Sequence, residues 1–185
     1  MTVSTIKMTA RQFLALGEDP PGVRLELVNG EIAVSPSPVP KHSFVVFALG
    51  AILKNHIDAH DLGELLGDVD TIFGIHDVRR PDLLFFTKSR RHLIGEKAIE
   101  GPPDLCVEVL SPSSITTVRK DKFEQYASGG VQYYWIISPE QRTLEAFRLN
   151  AGRYIETIRG QGGEIVHAPP FEDLGIELSK LWRKP

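Results

Sequence analysis

Carboxylates delivered into apolar strands are the side chains of this chain best suited to chemistry. In Pro103-Asp104-Leu105-Cys106-Val107-Glu108-Val109-Leu110-Ser111-Pro112, apolar Leu105, Val107 and Val109 alternate with Asp104, Cys106, Glu108 and Leu110. As a strand, this segment sends Asp104 and Glu108 to one face with their Cα atoms about 13 Å apart. An ionised Glu between two valines is costly to bury unless a cation or hydrogen-bond donors meet it. A second such segment is Arg79-Arg80-Pro81-Asp82-Leu83-Leu84-Phe85-Phe86. Proline is tolerated at the start of a strand but not within a central one, which predicts Asp82 at a strand mouth. Lys120 and Lys122 follow in a short helical stretch that ends at Gly129-Gly130. Acids on two strands and a lysine on the next helix suit a divalent metal held by oxygen, with an ammonium beside it to stabilise negative charge.

The elements that must position these groups are legible upstream and downstream. Thr9-Ala10-Arg11-Gln12 has capping-box spacing and is followed by apolar residues and Gly17. Alternating residues 24–34 flank Asn29-Gly30, the pair favoured in a type I′ hairpin turn. The Pro-rich stretch 35–40 reads as a stiff connector. Apolar positions 45, 48, 49, 52, 53 and 57 form the stripe of a long helix from Ser43 to about Ala59. Short strands are expected near 64–66 and 69–73, then the Asp82 strand, a polar loop from 87 to about 102, and the Glu108 strand. The Lys122 helix, a strand over 132–137 and a hairpin over 143–149 and 153–158 follow, with a strand and short helix closing residues 174–182. His76 and Asp77 fit a turn. The order predicts one α/β domain over residues 1–185, with a mixed central sheet flanked by helices and additional β-hairpins.

Composition narrows the function classes. The chain has 185 residues, 21 Lys and Arg against 24 Asp and Glu, and a net charge of −3, which does not describe a protein that coats nucleic acid by bulk charge. Local basic clusters at Arg79-Arg80, Lys88–His92 and Arg119-Lys120 with Lys122 border the acidic candidates, although each alone reads as solvated surface. Apolar runs are too short for a membrane span, and the N-terminus lacks a signal-peptide layout, so a cytoplasmic location is expected. The single cysteine, Cys106, is expected in the core.

Competing motifs carry less. His56 and His60 have the i,i+4 spacing of a zinc pair but lack the Glu of a zincin, and read as surface histidines near a helix end. His42 could open the long helix, support a site from behind, or do neither. Tyr133-Tyr134-Trp135 could stack bases, but alternation splits the rings between two faces, as in a core strand. Ser111-Pro112-Ser113-Ser114 has no base placed to activate a serine and reads as a loop capping the next helix.

In order, the chain shows an Arg-x-Glu-Leu-x-x-Gly-Glu hairpin, Ser-Pro, a His opening a long helix, Pro-Asp, Pro-Asp-Leu-x-x-Glu-Val-Leu-Ser-Pro-Ser, Lys-x-x-x-Tyr and Tyr-Trp-Ile. From about residue 8 onward it resembles the Uma-two family of the restriction-endonuclease-like PD-(D/E)xK superfamily. The resemblance implies a Mg²⁺-dependent (or Mn²⁺-dependent) DNA endonuclease that hydrolyses phosphodiester bonds, with a homodimer compatible. It implies that Asp82 and Glu108 are the metal ligands, with Lys122, from the following helix, completing the catalytic set and Lys120 its rival. Glu26, in the hairpin motif, is implied as a further acid. Leu110 stands where the short Glu-x-Lys form has its lysine, and Val118 stands where relatives commonly have Asp. These departures keep open a second expectation, a non-catalytic member of the fold that binds DNA or a protein partner.

Overall fold

The computed structural model describes residues 7–182 apart from Ser113. Thr9 caps α1 (Ala10–Leu14) through the reciprocal box with Gln12 that the spacing predicts. Strands β1 (Val23–Val28) and β2 (Glu31–Pro36) then form an antiparallel hairpin. Asn29 and Gly30 turn it with φ of 51° and 82°, the pair of positive values that a type I′ turn requires. A β-carbon at position 30 would also stand 2.5 Å from the Lys7 Cβ, so glycine is needed there twice over.

Helix α2 (Pro40–Ala59) begins three residues earlier than the apolar stripe suggests. Pro40 occupies its first turn, where a missing N–H costs nothing. Val45, Leu49, Leu53 and Ile57 recur every four residues and are fully buried. The chain continues through β3 (Gly63–Leu66), β4 (Thr71–Gly74), β5 (Asp77–Arg79), β6 (Leu83–Thr87) and β7 (Leu105–Val109). Asp77 therefore opens a strand, and the turn falls one residue earlier, on Ile75 and His76. The polar stretch after β6 holds a 3-10 helix, Lys88–Leu93.

A π-helical segment, Thr117–Lys122, runs directly into α3 (Phe123–Ser128). The last strands are β8 (Tyr133–Ser138), β9 (Thr143–Asn150), β10 (Arg153–Gln161), β11 (Ile165–Val166) and β12 (Ile176–Glu177), before a closing 3-10 turn, Leu178–Leu181. Six strands build the central sheet in the order β10-β9-β8-β7-β6-β3. Only β7 and β8 in it are parallel, a pairing that needs a crossover such as the helical segment Thr117–Ser128 between them, so the sheet is mixed. A smaller sheet, β2-β1-β5-β4, carries the hairpin.

Both faces of the central sheet are covered. Leu105, Val107, Val109 and Trp135 point into a core shared with α2 and the C-terminal segment around Phe171 and Leu178. Cys106, Leu110, Tyr134 and Ile136 point the other way, beneath Val118 and Tyr126. The aromatic run thus splits by alternation, and the single thiol is in the core. Strand β7 is buried at every position, so Glu108 is a carboxylate set into the covered centre of a sheet.

Candidate functional site

Strands β6 and β7 run antiparallel with Leu83 opposite Val107, and one more step along that register sets Asp82 across from Glu108. Asp82 precedes the first residue of β6, at the strand mouth that Pro81 predicts. Its Oδ2 accepts the Val109 backbone N–H at 2.7 Å and lies 3.1 Å from His42 Nε2. Arg24 approaches its other oxygen at 4.0 Å. Asp104 shares the face of Glu108 but sits at the opposite end of β7, where it accepts the Thr87 N–H and pairs with Arg90. It belongs to the loop that leads into β7, at the end of the strand away from Glu108.

Glu108 Oε1 accepts from Lys122 Nζ at 2.9 Å and from the Tyr126 hydroxyl at 2.7 Å. Lys122 is shared, because its Nζ is also 3.2 Å from Glu26 Oε1. Glu26 reaches the cluster from β1, where its other oxygen accepts from Arg79 at 3.0 Å and its Oε1 accepts the Arg80 N–H at 2.9 Å. All four predicted site residues, Glu26, Asp82, Glu108 and Lys122, are buried and line one cleft of about 590 Å³. Arg24, His42, Ser111 and Thr117 complete much of its wall.

The two glutamates differ electrostatically. Burial pushes the Glu108 carboxyl up to about 7; Lys122 opposes this, and the charges of Asp82 and Glu26 add to it. Burial also disfavours the Glu26 anion, but Lys122, Arg79 and the Arg80 N–H outweigh it and hold Glu26 below the ordinary value. Burial alone would strip the Lys122 proton, yet the surrounding carboxylates raise its pKa instead. Of the two glutamates, Glu26 is therefore held charged beside a fixed ammonium, and Glu108 exchanges its proton near neutrality.

Two lysines compete for the site on sequence grounds, and only Lys122 enters it; Lys120 is exposed. Val118, Lys122 and Tyr126 are all buried, so the expected four-residue face survives through the π segment. Arg119 holds that segment in place through a two-pronged pair with buried Glu145 on β9, at 2.7 and 2.8 Å. Arg79 and Arg119 are thus engaged in ion pairs with buried carboxylates, a correction to their reading as solvated surface. The Arg80 guanidinium pairs with Asp19 and Asp70 and leaves Glu108 alone. Arginines satisfy Glu26 but neither Asp82 nor Glu108 closely.

His42 is the site neighbour that sequence spacing left unassigned; its only signal was its place at the start of a long helix. Glu145 gave none, because its partner Arg119 is 26 residues away. The loop expected to cap the helix does tie Ser111 N to Ser114 Oγ at 2.9 Å, while Ser113 lies outside the described residues. His56 departs from expectation too, being buried on α2, whereas His60 is exposed.

A metal needs more than proximity. Among the described residues, the acids of this cleft do not bring three ligand atoms within 4.8 Å of one another. Asp82 and Glu108 nevertheless offer a hard oxygen pair, and Glu108 sits among negative charges that a cation would relieve. The residues present fit a cation held by two carboxylates and completed by water.

The chain can be compared with known proteins on this basis. Its fold is similar to the crystal structure of a "putative nuclease belonging to DUF820" from Anabaena variabilis ATCC 29413, with a TM-score of 0.77 and 24% identity over 95% of this chain and 97% of that one. A type IIG restriction endonuclease, BpuSI, aligns at a TM-score of 0.38 and 18% identity, over 60% of this chain and 11% of the larger enzyme. No curated protein matches the sequence. No described helix is long and apolar enough to cross a membrane. Residues 10–179 match the family model described as "Uma2: Putative restriction endonuclease", and the chain belongs to that family.

Proposed function

We propose that this protein is a Mg²⁺-dependent DNA endonuclease, with Mn²⁺ an acceptable substitute, whose catalytic groups are Asp82, Glu108 and Lys122. One observation carries the reading: Asp82 and Glu108 occupy facing positions on adjacent strands and line the same cleft as Lys122, whose Nζ is 2.9 Å from Glu108. Asp82 and Glu108 would hold the ion. When bound, the ion would supply Lewis acidity to a scissile phosphate and lower the pKa of a water. The Val109 N–H and His42 fix the Asp82 carboxylate in orientation, and Tyr126 does the same for Glu108. Lys122 keeps its proton and presents a positive charge where negative charge grows on the phosphate in the transition state. Glu26 holds Lys122 from behind, and Arg79 in turn holds Glu26.

Supercoiled plasmid incubated with purified protein and Mg²⁺ or Mn²⁺ tests this. Nicking should be lost in Asp82→Asn and in chelator, and Glu108→Gln should lower it by at least about 10²-fold. Equal inactivity of wild type and mutants on duplex and single-stranded DNA would remove the nuclease reading. A non-catalytic binding role for the same scaffold would then be favoured, and one feature already leans that way: Lys122 is tied between two carboxylates as in a structural ion network.

A further inference from the structure

The C-terminal end of α2 holds a second cluster of ligating groups that the nuclease reading does not use. His56 and His60 stand one turn apart, and Asp173 reaches them from the segment between β11 and β12. One ligand atom from each lies within 4.8 Å of the others, a convergence of three that no other His, Cys, Asp or Glu group reaches among the described residues. A second observation points independently to a ligand. His56 Nε2 is buried with no hydrogen-bond partner among the described residues, although Asp173 Oδ1 is only 3.4 Å away. Buried polar atoms are nearly always satisfied, so an orphaned imidazole nitrogen facing a carboxylate calls for a missing partner.

His60 is set up in the way a metal-binding histidine requires. Its Nδ1 lies 2.9 Å from the His56 carbonyl oxygen, which can only accept. The proton is therefore fixed on Nδ1, and Nε2 carries the free lone pair, the tautomer a metal ligand needs.

We propose that His56, His60 and Asp173 bind a borderline transition-metal ion of the Zn²⁺ class, separate from the acid cleft. Two imidazoles and one carboxylate match the donor preference of Zn²⁺ and its neighbours, whereas Mg²⁺ seeks an all-oxygen octahedron. His60 and Asp173 are exposed, which leaves a fourth position for water. The ion would act as a clip. Asp173 follows Phe171, whose ring packs edge-on against His56 at 5.7 Å, Phe85 at 4.9 Å and Trp135 at 6.2 Å. A metal at this point would fasten the C-terminal segment over the core that α2 shares with the central sheet.

The test is titration of chelator-treated, dialysed full-length protein with ZnCl₂ and separately with CoCl₂, in excess Mg²⁺ so that the acid cleft does not compete. Wild type should bind one Zn²⁺ per chain, melt at a higher temperature with Zn²⁺, and develop Co²⁺ visible absorption. His60→Ala and Asp173→Ala change exposed side chains, so both should match the wild-type melting temperature in chelator. Each should bind Zn²⁺ at least about 10-fold more weakly and lose the Co²⁺ bands. His92→Ala, an exposed histidine outside the cluster, should behave as wild type. Binding of Zn²⁺ by His60→Ala and Asp173→Ala with wild-type affinity, or no binding by wild type, would overturn the proposal. Because plasmid nicking is not read, the outcome is independent of the nuclease assignment.

Discussion

Glu108 can report on its own surroundings, because a carboxyl raised to about 7 makes folding depend on pH in a defined sense. Below its ordinary value of 4.5 the group is neutral whether the chain is folded or not, so it has no effect on stability. Between 4.5 and 7 the folded protein holds a proton that the unfolded chain would release, and stability falls as pH rises. In chelator, Glu108→Gln should therefore stabilise the fold at pH 8 by roughly 3 kcal/mol, read as a higher melting temperature, and change it little at pH 5. A stabilisation equal at both pH values would show that the glutamine acts by packing alone. A cation competing with that proton should bind better at pH 8 than at pH 6, and calorimetric titration with Mn²⁺ measures it. Lys122→Met sharpens the contrast, because it leaves Glu26 and Glu108 without their shared ammonium. Removing one partner from a buried pair costs roughly 3–5 kcal/mol. Urea unfolding should show that loss at pH 8 and a smaller one at pH 6, where Glu108 takes up a proton.

At the scale of elements, the π-helical segment is the piece that delivers the lysine, and it is held by the pairs of Lys122 with Glu108 and Glu26, by Arg119 with Glu145 and by the Tyr134 hydroxyl on the Val118 carbonyl. Arg159 also pairs with Glu145 at 3.0 Å, so the buried carboxylate has two partners. Arg119→Ala and Arg159→Ala should each be tolerated because one guanidinium remains. Their combination strands Glu145 and should cost about 3–5 kcal/mol, more than the sum of the single losses. Urea unfolding of the four proteins checks this, and simple additivity would mean that Glu145 is satisfied otherwise. The capping box at Thr9, the turn at Asn29-Gly30 and the buried stripe 45-49-53-57 could be read from sequence because each signal lies within a few neighbouring residues. Asp82, Glu108 and Lys122 were legible as a set because two strands and a helix carry them in a recognisable order. Strand β5 was not, because three residues are too short to show a period. The π-helical winding was not either, since its residues have no composition of their own. The part played by His42 depends on an aspartate 40 positions on, and that of His56 on Asp173, contacts only the assembled fold defines.

For the whole molecule, the cleft is an assembly point between two sheets. Glu26 and Arg79 come from the four-stranded sheet, whereas Glu108 comes from the six-stranded one and Lys122 from the crossover that covers it. The two sheets meet through this ion network and through Gln125, which accepts from Arg79 and donates to Asp77. Gln125→Ala should therefore loosen the sheets against each other without touching Asp82 or Glu108. Hydrogen exchange should rise in β1 and β5 before it rises in β7 and β8; uniform protection across both sheets would contradict this.

The lysine that bridges Glu26 and Glu108 also has a kinetic consequence. It joins residues 96 positions apart on one side and 14 on the other, so the short contact can form while the long one still waits for most of the chain to be ordered. Long-range closures of this kind come late and slowly in folding. A chain emerging from the ribosome has its hairpin first and its lysine nearly a hundred residues afterwards, and until then Glu26 and Asp82 have no ammonium to oppose them. The cleft is thus among the last features of the molecule to be completed. In stopped-flow refolding, recovery of Mn²⁺ binding should lag behind the burial of Trp135.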